Sequence, residues 1–276
     1  MFRHGRPSRR RTGASAGETA VRCLVIVPTY NERENLREIV DRVLEQGPHF
    51  NLLVVDDNSP DGTGELADQL AAENPRVSVL HRAGRMGLGT AYIEGFQFGI
   101  TAGYDYLFEM DADFSHDPSY LPRFLERMGE GYDVVIGSRN IAGGGVRNWP
   151  LSRRLLSRGG SLYAGMMLGL TVTDATGGFK CFKRQVLQAL DLGAIRSNGY
   201  SFQIEVNYRC QQLGFRIGEV PIIFVDRTRG KSKMSRGIIL EAVKMTWKLK
   251  LEQLLSRAPE PASATGDRNV ARVDRG

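Results

Sequence analysis

The stretch "MDADFSHDP", Met110 to Pro118, sets Asp111 and Asp113 one residue apart, directly after the apolar segment "YDYLFEM". Burying a carboxylate costs several kcal/mol unless it is paired or bound to metal. Carboxylates at alternating positions of an extended segment face the same way. Together they suit a hard divalent cation, Mg2+ or Mn2+, which also bridges phosphate oxygens. A D-x-D unit alone is a weak signal, because solvated acidic turns contain it by chance. At a strand end, beside other acids on the same edge, the metal reading is favoured. Asp117 is different: followed by Pro118, it reads as a helix cap with proline in the first turn.

Other groups could join that chemistry. Asp57 closes a second apolar segment, "FNLLVVDD", where a nucleoside base or ribose would lie. Its neighbours Asn58 and Asp61 read as turn residues. Glu32 fits either a nucleotide contact or a first-turn acid on a helix dipole. Arginines crowd the middle of the chain: Arg139, Arg147, Arg153, Arg154 and Arg158. On a helix Arg153 shares a face with Ser157, and Arg154 with Arg158. Either pair could grip phosphate, which arginine holds bidentately, with the other solvated. Arg227 and Lys233 flank a Gly- and Ser-containing stretch, "TRGKS", the composition of a mobile lid over a diphosphate or of an exposed basic loop.

Several phosphate motifs fail. "GKS" at Gly230–Ser232 lacks the glycine five residues earlier that a Walker A loop needs, since position 225 is Val225. Gly87 and Gly89 are followed by Tyr92, which breaks G-x-G-x-x-G. H-E-x-x-H is absent and the four histidines do not cluster.

The elements that must position these residues alternate. "VRCLVIVPTY" is a predicted strand and "ERENLREIVDRVLEQ" an amphipathic helix, with Asn31 as its cap. Strand and helix then alternate through "FNLLVVDD", "GTGELADQLAAE", "RVSVLHR", "GLGTAYIEGFQFGI", "YDYLFEMDAD", "PSYLPRFLERM" and "YDVVIGSR". This predicts an α/β fold, Rossmann-like, with a mostly parallel sheet flanked by helices. Ligands bind such sheets beyond the carboxyl ends of the strands, where Glu32, Asp57, Asp111, Asp113 and Arg139 gather. After Arg139 come a glycine-rich basic loop and two helices, "LLSRGGSLYAGMMLG" and "YSFQIEVNYRCQQLG", with "TDATGGFKCFKR" between them. A strand "GEVPIIFVDR" and a last helix "RGIILEAVKMTWKLKLEQLLS" complete the pattern.

Composition suits a globular domain: 276 residues, 41% hydrophobic and 25% charged. No run approaches the roughly 18 apolar residues of a membrane span, and no apolar core follows the basic N-terminus as in a signal peptide. Residues 1–20 and 258–276 read as disordered tails around one catalytic domain, 21–257. The net charge of +6 fits phosphate-rich partners. Strand-end acids and the lack of aromatics interleaved along a basic stripe speak against a nucleic-acid binder. Cys23, Cys181 and Cys210 lie far apart with no C-x-x-C, so they are structural thiols of a reducing compartment.

Together the blocks "VPTYNERENL", "VVDDNSPDGT", "GLGTAYIEGF", "MDADFSHDP", "GSR", "RRLLSRGG", "DATGGF" and "GEVPIIFVDRTRGKSKM" resemble the dolichol-phosphate mannose synthases, or polyprenol monophosphomannose synthases, of the family 2 inverting glycosyltransferases. The resemblance spans about residues 22–245. It implies a GT-A fold, GDP-mannose as donor and a polyprenyl phosphate as acceptor. It also implies that Pro28, Tyr30, Glu32, Val55 and Asp57 contact the nucleotide. Asp111, Ala112 and Asp113 would then hold the metal and diphosphate, with Arg139, Arg227 and Lys233 completing the donor site. Arg139, Arg153 and Ser157 would bind the acceptor phosphate. Where some relatives have Gln two residues after the second Asp, this chain has Ser115, so the resemblance does not carry over a third metal contact there. The resemblance further implies a peripheral protein on the cytoplasmic face of a membrane, held by a separate membrane-anchoring protein.

A phosphate monoester is largely a dianion at pH 7, so such an acceptor needs positioning rather than a general base. The expected reaction is direct displacement with inversion. The helix around Trp247 either lies on a membrane surface or packs on the sheet. Spacing does not separate sugars, so a UDP-glucose-dependent enzyme of the same fold is the rival. The absent Q-x-x-R-W argues against a processive synthase.

Overall fold

The structure is a computed structural model and describes residues 21–226 and 236–256; the expected tails, Arg227 and Lys233 lie outside the described residues. The predicted alternation is present: β1 (Cys23–Thr29), α1 (Arg33–Leu44), β2 (Phe50–Asp56), α2 (Thr63–Glu73), β3 (Val77–His81), α3 (Leu88–Thr101), β4 (Tyr106–Glu109), α4 (Leu121–Gly129) and β5 (Val134–Ser138). Then follow β6 (Gly145–Arg147), α5 (Leu151–Leu168), β7 (Lys180–Lys183), α6 (Arg184–Ala189), α7 (Gly199–Gln212), β8 (Ile217–Pro221), β9 (Ile223–Val225) and α8 (Arg236–Ser256).

Seven strands form one sheet in the order β3-β2-β1-β4-β7-β5-β8. All pairs are parallel except those of β7, which runs antiparallel between β4 and β5. Central strands are buried on both faces, which is why they read as unbroken apolar runs. Cys23, Val25 and Val27 face one core with Leu36, Ile39 and Phe124. Leu24 and Ile26 face the other with Tyr92, Phe96 and Phe202. A Cβ on Gly95 would run into Ile26, so glycine lets α3 lie close on the sheet.

Three local expectations change. Asn31 does not cap α1; it adopts φ +61°, and Glu32 is the capping position. "GEVPIIFVDR" breaks at Ile222 into β8, in the main sheet, and β9, paired with β6. The last helix packs on helices rather than on the sheet: Leu249 is buried among Ala164 of α5 and Ile204 and Tyr208 of α7. No described helix is long and apolar enough to cross a membrane.

Candidate active site

Strand β4 stops at Glu109, so Asp111 lies just beyond it and Asp113 falls within the bend at 112–116. Phe114 takes φ +60°, an uncommon conformation for a residue with a side chain. Crossed hydrogen bonds hold the turn. The Asp111 main-chain N–H donates to His116 Nδ1 at 3.1 Å, and the Ser115 N–H donates to Asp113 at 3.0 Å. The Tyr92 hydroxyl of α3 reaches Asp111 at 3.4 Å. Burial, then the charges of Asp111, Glu109 and Asp113, push that phenol well above its ordinary value. Ala112 turns into the core, so any contact it makes with a diphosphate is through its backbone.

His116 is buried and stacked on Phe179, ring centroids 5.0 Å apart. Burial pushes its pKa down to about 4, so the ring is neutral and Nδ1 is free to accept. Behind the turn, Glu109 stands directly across the sheet from Lys180, both fully buried. Burial raises the glutamate to about 7 against the pull of Lys180.

At the end of β2 the two acids divide their work. Asp56 is structural: it accepts from Thr29, from the Ser59 hydroxyl and from the Ser59 N–H. Asp57 pairs with the buried Arg82 at 2.5 Å, and Arg82 also reaches Glu94 at 3.1 Å and Thr90. Burial lifts the Asp57 carboxyl above its ordinary value in spite of Arg82. Asn58 takes φ +57°, and Asp61 accepts from the N–H and hydroxyl of Thr63, as turn residues do. Pro28 is level with Val55 across β1 and β2. The Val55 side chain belongs to the core, so it too offers a ligand only its backbone. Tyr30 is exposed at the rim, with Arg85 4.8 Å over its ring. Glu32 accepts from Asn35 at 2.8 Å while its N–H donates to Thr63, tying α1 to α2.

On the other side of the turn, Arg139 is clamped by Asp174. Its Nε and main-chain N–H donate to one carboxylate oxygen at 2.7 and 2.9 Å, and Nη2 to the other at 2.6 Å. Nη2 also donates to Thr176 at 2.9 Å. Arg153, expected at the acceptor phosphate, pairs with Asp226 at 2.8 Å and lies 4.0 Å over Trp149. It is Arg154 and Arg158 that line a cavity of about 310 Å3 together with Arg139, Trp149 and Ser157. An apolar crevice of about 90 Å3 shares Trp149 and Ser157 as walls and continues along Leu156, Tyr163, Ile204 and Ala242.

Sequence reading missed Asp174, His116, Arg82 and the Glu109–Lys180 pair. "DATGGF" lay within the resembling blocks, but the bond from Asp174 to Arg139 spans 35 residues and leaves no local signature.

The chain matches Glycosyl transferase family 2 over residues 24–191. It belongs to that family. Within it, the chain is 53% identical to an undecaprenyl-phosphate mannosyltransferase of Micrococcus luteus over 81% of its own length and 91% of the relative's. It is 49% identical to a polyprenol monophosphomannose synthase of Mycolicibacterium smegmatis over 86% and 91%. These are the enzymes its sequence blocks resemble. The fold is shared with glucosyl-3-phosphoglycerate synthase of Mycobacterium tuberculosis: TM-score 0.61 at 17% identity in a complex with UDP, covering 90% of this chain and 86% of that one. A complex of that enzyme with Mn2+, UDP-glucose and glycerol 3-phosphate gives 0.56 at 20% identity, covering 94% and 88%. The family 2 glycosyltransferase therefore has the expected GT-A architecture.

Among the described residues no three His, Cys, Asp or Glu side chains gather into a metal site. Two carboxylates in a turn, steered by Tyr92 and His116, still fit a hard cation whose other positions go to diphosphate oxygens and water.

Proposed function

We propose that the protein transfers mannose from GDP-mannose to a polyprenyl monophosphate, with inversion and without a covalent enzyme intermediate. One observation carries the acceptor assignment: the arginine-lined cavity and the apolar crevice share Trp149 and Ser157. An anionic head on a hydrocarbon tail fits both at once. The close relatives, which are named for acting on such lipids, support the same reading.

Asp111 and Asp113 would hold Mg2+ or Mn2+, and the cation when bound would offset the negative charge that develops on the departing diphosphate. Pro28, Tyr30, Glu32 and Asp57 would frame the nucleoside, and Arg227 and Lys233 would add charge to the diphosphate. Arg139, with Arg154 and Arg158, would bring the acceptor phosphate against a donor of the same sign. Ser157 would mark where head meets tail.

The surface around this region suits a peripheral enzyme. Leu151, Leu155, Leu162 and Met166 of α5 and Leu240, Trp247, Leu251 and Leu254 of α8 are exposed, beside Arg154, Arg158, Lys244 and Lys248. Apolar and basic residues with a tryptophan favour a lipid surface. We place the enzyme on the cytoplasmic face, with a separate membrane-anchoring protein as partner, and take residues 21–257 as one catalytic domain.

The test is transfer from GDP-mannose, UDP-glucose and UDP-N-acetylglucosamine to a polyprenyl phosphate, with and without Mg2+ or Mn2+. Metal-dependent transfer from GDP-mannose alone is expected. Transfer from a UDP-sugar would overturn the donor, and no transfer in the presence of lipid would overturn the reaction.

A further inference from the structure

In a site that makes a new bond to an incoming oxygen, a buried aspartate invites a general-base role. The geometry points to another: Asp174 is a positioning residue that locks the Arg139 guanidinium so that one edge, Nη1, is presented to the acceptor phosphate. This rests on the phosphate-acceptor reading given above.

Both carboxylate oxygens of Asp174 are spent on Arg139. One takes Nε and the main-chain N–H, and the other takes Nη2. The Thr176 hydroxyl takes the remaining Nη2 proton. Nη1 has no protein partner among the described residues, and Arg139 lines the arginine cavity. Trp149 and Phe224 each hold the guanidinium plane from 5.6 Å.

The clamp is itself held. Glu219 of β8 accepts from the Asp174 N–H at 3.1 Å and from the Thr173 N–H and hydroxyl. Asn207 of α7 donates to the Ala175 carbonyl at 3.0 Å. A Cβ on Gly177 would come within 3.2 Å of the Gly137 carbonyl oxygen, so glycine lets the turn close on β5. Asp174 is wholly buried, and the charged or titratable groups around it among the described residues include Arg139, His116, Lys180 and Glu219. Burial raises its carboxyl, but the charge and hydrogen bonds of Arg139 outweigh that and hold it below the ordinary range. Such a carboxylate is a poor proton acceptor. A fixed guanidinium, by contrast, loses little freedom on meeting a phosphate.

The experiment compares Asp174→Asn, Thr176→Val, Arg139→Lys and the double variant Asp174→Asn/Arg139→Lys. Asp174→Asn should raise the KM for polyprenyl phosphate about 10- to 100-fold, with kcat reduced less and the KM for the donor unchanged. Thr176→Val, which removes the Nη2–Oγ1 bond and the weaker contacts of that hydroxyl with Asp174 and Ser161 but leaves the carboxylate on Arg139, should give a smaller change of the same kind and keeps the test open if Asp174→Asn does not fold. The double variant should be no worse than Arg139→Lys, because Asp174 acts through Arg139. The pH dependence of kcat should keep its shape in Asp174→Asn. Multiplying effects in the double variant, or a kcat lost with acceptor KM unchanged, would overturn the clamp in favour of a base. Calorimetric titration with farnesyl phosphate separates the two readings. Binding by the wild type that Asp174→Asn weakens supports the clamp even if no GDP-mannose is used. Equal binding by both sinks the clamp even if mannose is transferred.

Discussion

His116 accepts a hydrogen bond from the main-chain N–H of Asp111, five residues before it, and so closes the acidic turn on itself. The contact needs a neutral ring, and burial supplies one. His116→Phe keeps the packing on Phe179 and removes the acceptor. We expect the Mn2+ concentration for half-maximal turnover to rise about tenfold, the worth of one hydrogen bond. An unchanged metal titration would show that the turn is shaped by Phe114 and Ser115 alone.

Asp113→Ala should abolish turnover at any metal concentration, since one carboxylate of the pair then remains. Near-normal turnover would refute the metal assignment.

Asp57→Ala has a second consequence that sequence alone does not reveal. It removes a partner of the buried Arg82, leaving Glu94 and Thr90. Stability should fall by about 1–3 kcal/mol, in addition to weaker donor binding, and urea midpoints read it directly. Asp57→Asn should lose far less stability. Equal midpoints for wild type and Asp57→Ala would mean that the remaining partners, Glu94, Thr90 and the Gly87 carbonyl, satisfy Arg82.

Acid should expose the clamp. The Asp174 carboxyl is lower in the folded protein than its ordinary value, which the unfolded chain regains, near 3.9. As pH falls the unfolded chain binds protons first. The stability this group contributes is therefore complete above about pH 4 and disappears as pH falls through the folded value. Asp133 behaves alike: burial opposes, and Lys183 and the Arg216 N–H prevail. Denaturant midpoints between about pH 6 and 3 should fall less steeply for Asp174→Asn than for the wild type. Parallel curves would count against the Asp174 contribution.

The thiols should be silent. Burial pushes Cys23 and Cys210 up to about 12 and Cys181 well above its ordinary value. A disulfide reagent at about pH 8 should find no fast thiol in the folded protein, because the thiolate is the nucleophile, and all three in urea. A fast thiol under native conditions would mean local opening of the sheet.

The first half of the fold was legible because β1 to β5 and α1 to α4 carry strong local periods, and because the acids sit where an α/β sheet gathers its ligands. Strand β7 was missed because its four residues include Lys180 and Lys183. Lys180 is buried with its Nζ on the Gln203 carbonyl and with Glu109 opposite it in the sheet, conditions set 23 and 71 residues away, at 203 and 109. The choice between two arginine pairs was open in sequence because both share helical spacing. In the structure Arg153 is held by Asp226 and Trp149, while Arg154 and Arg158 line the cavity. Val55 and Ala112 stood in ligand-contacting blocks, and nothing local said that their side chains face the core.

The antiparallel strand has a bearing on how the chain comes to life on the ribosome. β4 and β5 are finished early in synthesis, yet their shared neighbour β7 is made only after residues 139 to 179. Until then the edges of β4 and β5 that β7 will cover stand open, and Lys180 does not yet stand opposite Glu109. The strands before Arg139 thus cannot close into the finished sheet ahead of β7. A nascent chain halted at Ser138 should remain a substrate for chaperones and proteases, and the same chain released after Lys183 should begin to resist them.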